Sequence, residues 1–436
     1  MTIDYQKLIN PRIFQIPDYD QSHVTKCWED PSIHRNMSNE SIYSPIQAVQ
    51  DAICEAAKDA NYYAEDPTYA LALRGKLADY ASVKTENVAL GNGSIEVLDL
   101  IFQIFMANIG EDEAILLQPD YSAYVPRLVY FGWNIKYAKH ADGLSKAADQ
   151  VMDLISDKTK FVLFSRPNNP MGTVMPANEI KRMLETGKII IVDEAYIEMA
   201  DEGTSVSSWV NKYENLIVLR TFSKGFCLAG IRLGYLLANP EIVRFLNRSK
   251  HIFNVNLAAM RAGEAAMDHL DEYCQVFRKL AHTRDWLAAE LAKIEGFKPI
   301  PSQANFVMVD VEESKKTATE CVDYLLEKGF WVRSFAKKAG LEPDTHFRIS
   351  AGLPIFPSPS SIINDLMFSA RRYHKTLIIY CNTKVFRVSI SSSIASGLPT
   401  EIRKWVSGSS PAFLANDRTQ NPFFQQVIDT FRCGLF

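Results

Sequence analysis

Arg220-Thr-Phe-Ser-Lys-Gly-Phe-Cys-Leu-Ala-Gly-Ile-Arg-Leu-Gly234 sets one lysine among small residues, directly after the apolar run Leu216 to Leu219. A lysine in such a place is ordinarily a solvated surface residue. Its neighbours argue otherwise, because Thr221, Ser223 and Arg232 surround it with two hydroxyls and a guanidinium, a set suited to a phosphate. The run before it reads as a buried strand, and so do Ala114 to Leu117, Phe161 to Phe164 and Ile189 to Val192. These runs are continuous rather than alternating and are separated by amphipathic stretches. That pattern predicts an α/β fold with a mainly parallel sheet covered by helices on both faces.

Three further segments close strands or open helices. In Ile189-Ile-Ile-Val-Asp-Glu-Ala-Tyr196 a carboxylate ends a strongly apolar strand, where a charge is rarely left without a partner. That partner is a structural cation, a helix cap or, in a functional reading, the pyridinium nitrogen of a cofactor ring, whose proton an ionised Asp193 would hold. Tyr196 could then donate to the ring's phenolate oxygen. Ser165-Arg-Pro-Asn-Asn-Pro-Met-Gly172 is dense in turn formers and brings Asn169, an amide donor for the same oxygen. Gly91-Asn-Gly-Ser-Ile-Glu96 opens a helix through Val97, Leu98, Ile101 and Phe105, and a glycine-rich helix start attracts phosphate. Glu96 stands where a dinucleotide fingerprint would put its third glycine, which weakens that alternative.

The bulk properties remove other classes. A net charge of -4 from 47 basic and 51 acidic residues gives no footprint for a polyanion, so nucleic acid is not an expected partner. The 7 cysteines lie far apart with no C-x-x-C pair, which suggests neither a disulfide framework nor a metal site and fits a reducing cytoplasm. No apolar run reaches the roughly 18 residues of a membrane helix, and no membrane partner is expected.

The four segments, in this order, resemble the class I/II aminotransferases, which are pyridoxal-5′-phosphate (PLP)-dependent enzymes of fold type I. Within them the similarity is greatest to the histidinol-phosphate aminotransferase branch, and it covers about residues 35 to 354. The resemblance implies that Lys224 forms the Schiff base with PLP and acts as general base and acid, and that Asp193 pairs with the pyridinium. It implies that Asn169 and Tyr196 bind the ring oxygen and that Tyr121 stacks on the ring. Gly93, Ser94, Thr221, Ser223 and Arg232 would form the phosphate cup. Tyr63, with Tyr62 as the alternative register, matches a tyrosine that reaches the neighbouring subunit's phosphate, so a homodimer is expected. Arg348 matches the substrate-carboxylate arginine, although an arginine in a strand is, taken alone, more often part of a structural ion pair. Asn305 and Arg333 lie at positions near the substrate. The chain departs from the family pattern at Asn39-Glu-Ser-Ile42, where Asn-Glu-Asn-Pro is usual, and at Ile95, where Asp is common.

The implied reaction is transamination between histidinol phosphate, or a related amino acid, and an oxo acid such as 2-oxoglutarate. The same scaffold also supports decarboxylation of the threonine-phosphate type, aromatic amino acid transamination, or a binding module without catalysis. The expected organisation is an N-terminal arm over 1–45, a large PLP-binding domain over 46–255, a smaller α+β domain over 256–375 and an atypical tail over 376–436. Within these, helices are expected on Ile46, Val49, Ile53 and Ala57, on Leu71, Leu73, Leu77 and Tyr80, and along Leu257 to Ile294. Phe306 to Asp310 and Gly329 to Arg333 read as strands, Ser361 as a helix cap, and Leu377 to Cys381 with Val385 to Ile390 as a hairpin.

Overall fold

The computed structural model describes residues 3–18, 22–64, 70–139, 144–335, 341, 344–351, 376–381 and 384–389. The chain forms two compact units, Met1–Leu366 and Met367–Phe436. In the first, a helix α1 (Ser22–Glu29) and a two-residue strand β1 (His34–Arg35) precede helices α2 (Gln47–Ala56) and α3 (Leu71–Ala81). The sheet strands then follow: β2 (Val88–Gly91), β3 (Glu113–Gln118), β4 (Asn134–Lys139), β5 (Thr159–Ser165), β6 (Ile189–Asp193), β7 (Leu216–Thr221) and β8 (Gly234–Leu237). Interleaved with them run α4 (Gly93–Phe105), α5 (Tyr124–Phe131), α6 (Ala147–Leu154) and α7 (Ala177–Leu184), and α8 (Pro240–Ser249) closes the series.

The seven strands form one sheet in the order β2-β8-β7-β6-β5-β3-β4. Strand β8 alone runs antiparallel to its neighbours β2 and β7. Alternate residues of each strand point to opposite faces, and both faces are buried. Ile115, Val162, Ile190, Val192 and Val218 pack into one core and Leu116, Phe161, Leu163, Ile191 and Ile217 into the other. Two covered faces are why these strands read as unbroken apolar runs.

Helices α9 (Leu257–Asp268) and α10 (Leu270–Leu291) lead to a second sheet of β9 (Lys298–Pro299), β10 (Phe306–Asp310), β12 (Arg333–Ser334) and β13 (His346–Ser350), ordered β12-β13-β10-β9. Helix α11 (Ala318–Glu327) and strand β11 (Phe330–Trp331) lie between them in sequence, and β11 pairs in parallel with β1.

Several expectations need correction. The helix expected along Leu257 to Ile294 is two, divided at His269, whose backbone leaves the helical region at φ -116 and ψ 37. The strand expected at Gly329 to Arg333 is divided at Val332 into β11 and β12, which belong to different sheets. Leu71 is not on the buried stripe with Leu73 and Leu77; it is 59% exposed. The N-terminal segment holds a helix and a strand of its own. In the second unit, β14 (Thr376–Cys381) pairs antiparallel with β15 (Lys384–Ser389) where the hairpin is expected, and Ile390 lies outside the described residues. The helix expected from Ser361 lies outside the described residues.

Candidate active site

Strand order builds the site. Ser165, Asp193 and Thr221 end β5, β6 and β7, and Ser165 pairs with Asp193 across the sheet. Ligands of open α/β sheets collect beyond such carboxyl ends. Because β8 runs the other way, its first residue Gly234 pairs with Thr221 on one side and with Gly91 on the other. The glycine-rich turn into α4 is thereby set beside the lysine segment. The approach is close: a Cβ on Gly234 would lie 2.4 Å from Ser94 N, and one on Gly93 would lie 2.4 Å from Arg232 Nη2. Gly93 also has φ +77, a conformation that glycine adopts at little cost. Thr221 Oγ1 donates to Ser223 Oγ at 3.0 Å, and α4 begins without a side-chain cap, leaving its first N–H groups to an anion.

Lys224 follows this cup. Its Nζ donates to Ser38 O at 2.9 Å and lies 5.9 Å from the Tyr196 ring centre. Burial lowers its ammonium to about 8; the Arg348 and Arg232 guanidiniums add to the shift, and Glu40 and Asp193 oppose it. Asp193 is buried, with Oδ2 accepting from Tyr124 OH at 2.7 Å and Oδ1 from Ala195 N at 3.1 Å. Burial raises its carboxyl to about 6 against those two hydrogen bonds. A second buried carboxyl, Asp120, accepts from Ser165 N at 2.9 Å and from Tyr121 N at 2.7 Å. Burial, with Asp193 adding to it, raises Asp120 to about 7. Tyr121 meets Tyr124 edge-on at 5.4 Å.

Asn169, Tyr196 and Arg348 form one chain of hydrogen bonds. Arg348 Nη1 donates to Asn169 Oδ1 at 2.5 Å and Asn169 Nδ2 donates to Tyr196 OH at 3.2 Å. Asn39 Nδ2 donates to the same hydroxyl at 3.0 Å. Burial raises the Tyr196 phenol above its usual range. Arg348 Nη2 donates to Met37 O at 2.7 Å, and its guanidinium lies over Phe306 and Phe335 at 5.0 and 5.4 Å. Burial lowers it to about 10. Arg333 is its cross-strand partner on β12. Asn305 donates through Nδ2 to Asn39 O at 3.1 Å. Arg348 Nε and Asn305 Oδ1 are buried without a hydrogen-bond partner.

Asn169, Tyr196, Arg348 and Asn305 are thus joined through shared partners, with Lys224 beside the Tyr196 ring, Asp193 on the strand next to that of the lysine segment, and the cup beside them. Tyr63 differs: it is 75% exposed and stacks on Phe253 at 4.0 Å. Three participants escaped the sequence reading: Asn39, Asp120 and Tyr124. Asn39 stood in a segment noted for departing from its expected pattern, and Asp120 and Tyr124 flank Tyr121, but nothing in the residue types indicated their partners.

A helix-covered, mainly parallel sheet with a lysine loop after one strand and an aspartate ending the adjacent strand is the frame of the fold type I PLP-dependent enzymes. The chain belongs to the class I and II aminotransferase family, whose model matches residues 36–354. The histidinol-phosphate aminotransferase of Methanosarcina mazei is 32% identical over 365 residues, 81% of this chain and 95% of that protein. The enzyme of the same name from Methanococcus maripaludis is 33% identical over 284 residues, 64% of this chain and 76% of that protein. Among solved structures, the histidinol-phosphate aminotransferase from Sinorhizobium meliloti in complex with pyridoxal-5′-phosphate superposes with a TM-score of 0.70 at 24% identity, covering 83% of this chain and 96% of that one. The protein is therefore a PLP-dependent aminotransferase. No helix among the described residues is long and apolar enough to cross a membrane.

Proposed function

We propose that the amino donor is histidinol phosphate, that the acceptor is an oxo acid such as 2-oxoglutarate, and that one arginine, Arg348, receives the anionic group of both. The observation carrying this reading is the state of Arg348. It is 4% exposed and its hydrogen bonds go to two neutral oxygens, with no carboxylate opposite it among the described residues. A structural ion pair with a described residue would have shown such a counter-ion. A buried cation without one is costly, and a phosphate or carboxylate of the substrate would supply it through the planar fork of the guanidinium. The names of the relatives support the choice of donor.

The residues fit PLP. Its aldehyde and pyridinium ring supply the covalent attachment point and the electron sink. Lys224, uncharged above about pH 8, provides the amine and is placed to take and return the proton of the substrate's α-carbon. Asp193, fixed by Tyr124 and Ala195, is the carboxylate for the ring nitrogen. Asn169 and Tyr196 serve the ring oxygen and Tyr121 one ring face. Gly93, Ser94, Thr221, Ser223 and Arg232 hold the phosphate, while Arg333 and Asn305 flank Arg348. Tyr63 completes the phosphate site of a second copy in a homodimer.

The test is the visible spectrum of the loaded protein mixed with histidinol phosphate, aromatic amino acids and aspartate, with the oxo product assayed. Histidinol phosphate is expected to bleach the cofactor band and yield its oxo product. A band untouched by histidinol phosphate but bleached by an aromatic amino acid would overturn the donor. Arg348→Lys keeps the charge and loses the fork, so both half-reactions should slow at least about tenfold; slowing of only one would overturn the shared-anion reading.

A further inference from the structure

We infer that Asn39 is a positioning residue that fixes the direction in which the Tyr196 hydroxyl donates its proton. The inference rests on the reading of Tyr196 as a donor to the ring oxygen of PLP.

The Tyr196 oxygen receives two amide donors, from Asn39 at 3.0 Å and from Asn169 at 3.2 Å. Chemistry fixes the orientation of Asn169, and the Ser350 hydroxyl orients Asn39. A guanidinium only donates, so the Asn169 atom that meets Arg348 at 2.5 Å is its oxygen, which turns its nitrogen to Tyr196. Ser350 Oγ accepts the Asn39 backbone N–H at 2.9 Å and gives its one proton to Asn39 Oδ1 at 2.8 Å. That turns the Asn39 nitrogen to Tyr196 as well. With two donors on the phenol oxygen, its own proton must leave in a third direction, and no described residue accepts it. Tyr196 is 3% exposed, so bulk solvent is not the acceptor, and a group bound in the site would take the proton.

Asn39 is held in place for this task. Its backbone is left-handed at φ 54, a conformation asparagine tolerates better than most residues. Its carbonyl accepts from Asn305 at 3.1 Å, and the residue is 1% exposed. Each of its polar atoms is therefore engaged, and the amide reaches Tyr196 from a segment clamped to the residue before β10 and to the end of β13.

Asn39→Asp separates this role from a merely structural one. The replacement keeps the size and the backbone hydrogen bonds but turns the donor facing Tyr196 into an acceptor, which draws the phenol proton away from the ligand. The measurement is the pH at which the visible band of the PLP-loaded protein titrates. Tyr196→Phe should raise that midpoint by about one pH unit, the size of one charge-assisted hydrogen bond, because a ring oxygen deprived of a donor holds the neighbouring proton more tightly. Asn39→Asp should raise it similarly, and the double variant no further than Tyr196→Phe alone. Asn39→Gly, which permits the same backbone, should shift it less in the same direction and serves where the aspartate variant fails to fold by circular dichroism. If Tyr196→Phe moves the midpoint and neither Asn39 variant does, the inference falls while the reading of Tyr196 stands. Shifts that add in the double variant would make Asn39 a separate charge effect and overturn it too. An unmoved Tyr196→Phe would remove both.

Discussion

Lys224 has to be uncharged to react, and its surroundings bring that within physiological reach. With the amine lowered to about 8, it is protonated below that pH and neutral above it. Uptake of PLP by the cofactor-free protein should therefore accelerate about tenfold between pH 7 and pH 9 and then level off; stopped-flow absorbance checks this, and a rate still climbing to pH 10 would contradict a lowered amine. Glu198 carries the opposite sign. Both its carboxylate oxygens are buried without a hydrogen-bond partner, and burial raises the carboxyl to about 7 despite Arg220. A raised carboxyl favours the fold while protonated, and that contribution is lost as pH rises from the ordinary carboxylate range through 7. Glu198→Gln should thus gain melting temperature over the wild type at pH 8 and little at pH 5; a pH-independent difference would show that Glu198 is not ionising. Single residues of the site were legible where they sat in a patterned segment, as Lys224, Asp193 and Asn169 do. Asn39 and Tyr124 were not, because their partners stand 157 and 69 residues away and neither side chain advertises what it binds.

Elements were readable in proportion to their length and burial. Strands β3, β5, β6 and β7 were visible because two covered faces make every position apolar. Strands β1, β11 and β12, of two residues each, carry no period, and the break at Val332 follows from pairing partners far along the chain. The break at His269 was hidden because the apolar stripe resumes on the next residue. The junction of β8 with α4 supports a prediction at this scale. A Cβ on Gly234 would meet backbone, Ser94 N at 2.4 Å, so Gly234→Ala must push the start of α4 away from the lysine segment. Such overpacking costs about 1–3 kcal/mol, and PLP affinity should fall at least about tenfold with a lowered melting temperature. Equilibrium dialysis with unchanged affinity would show that the phosphate cup does not depend on this contact.

At the scale of the molecule, Tyr63 is 75% exposed against Phe253, its neighbour Tyr62 is 70% exposed and Ile252 is 80% exposed. That much surface aromatic and aliphatic area in one place suits a covered interface. Sedimentation of the loaded protein is expected to show two chains, and a fully active monomer would remove the proposed homodimer. The tail beyond residue 375 yielded only a hairpin to the sequence reading, since polar and apolar residues alternate there without a sustained period. The contact of Asn39 with Ser350 spans 311 residues. A ribosome adding about 5–20 residues per second takes roughly 15 to 60 seconds to supply the second partner after the first. In the later part of that interval, once Lys224 has been made, the nascent chain carries the lysine but lacks Arg348 and the clamp on Asn39. Cofactor capture in the finished geometry therefore waits for Ser350, and a chain arrested between Lys224 and Arg348 would emerge with its lysine and without its pocket.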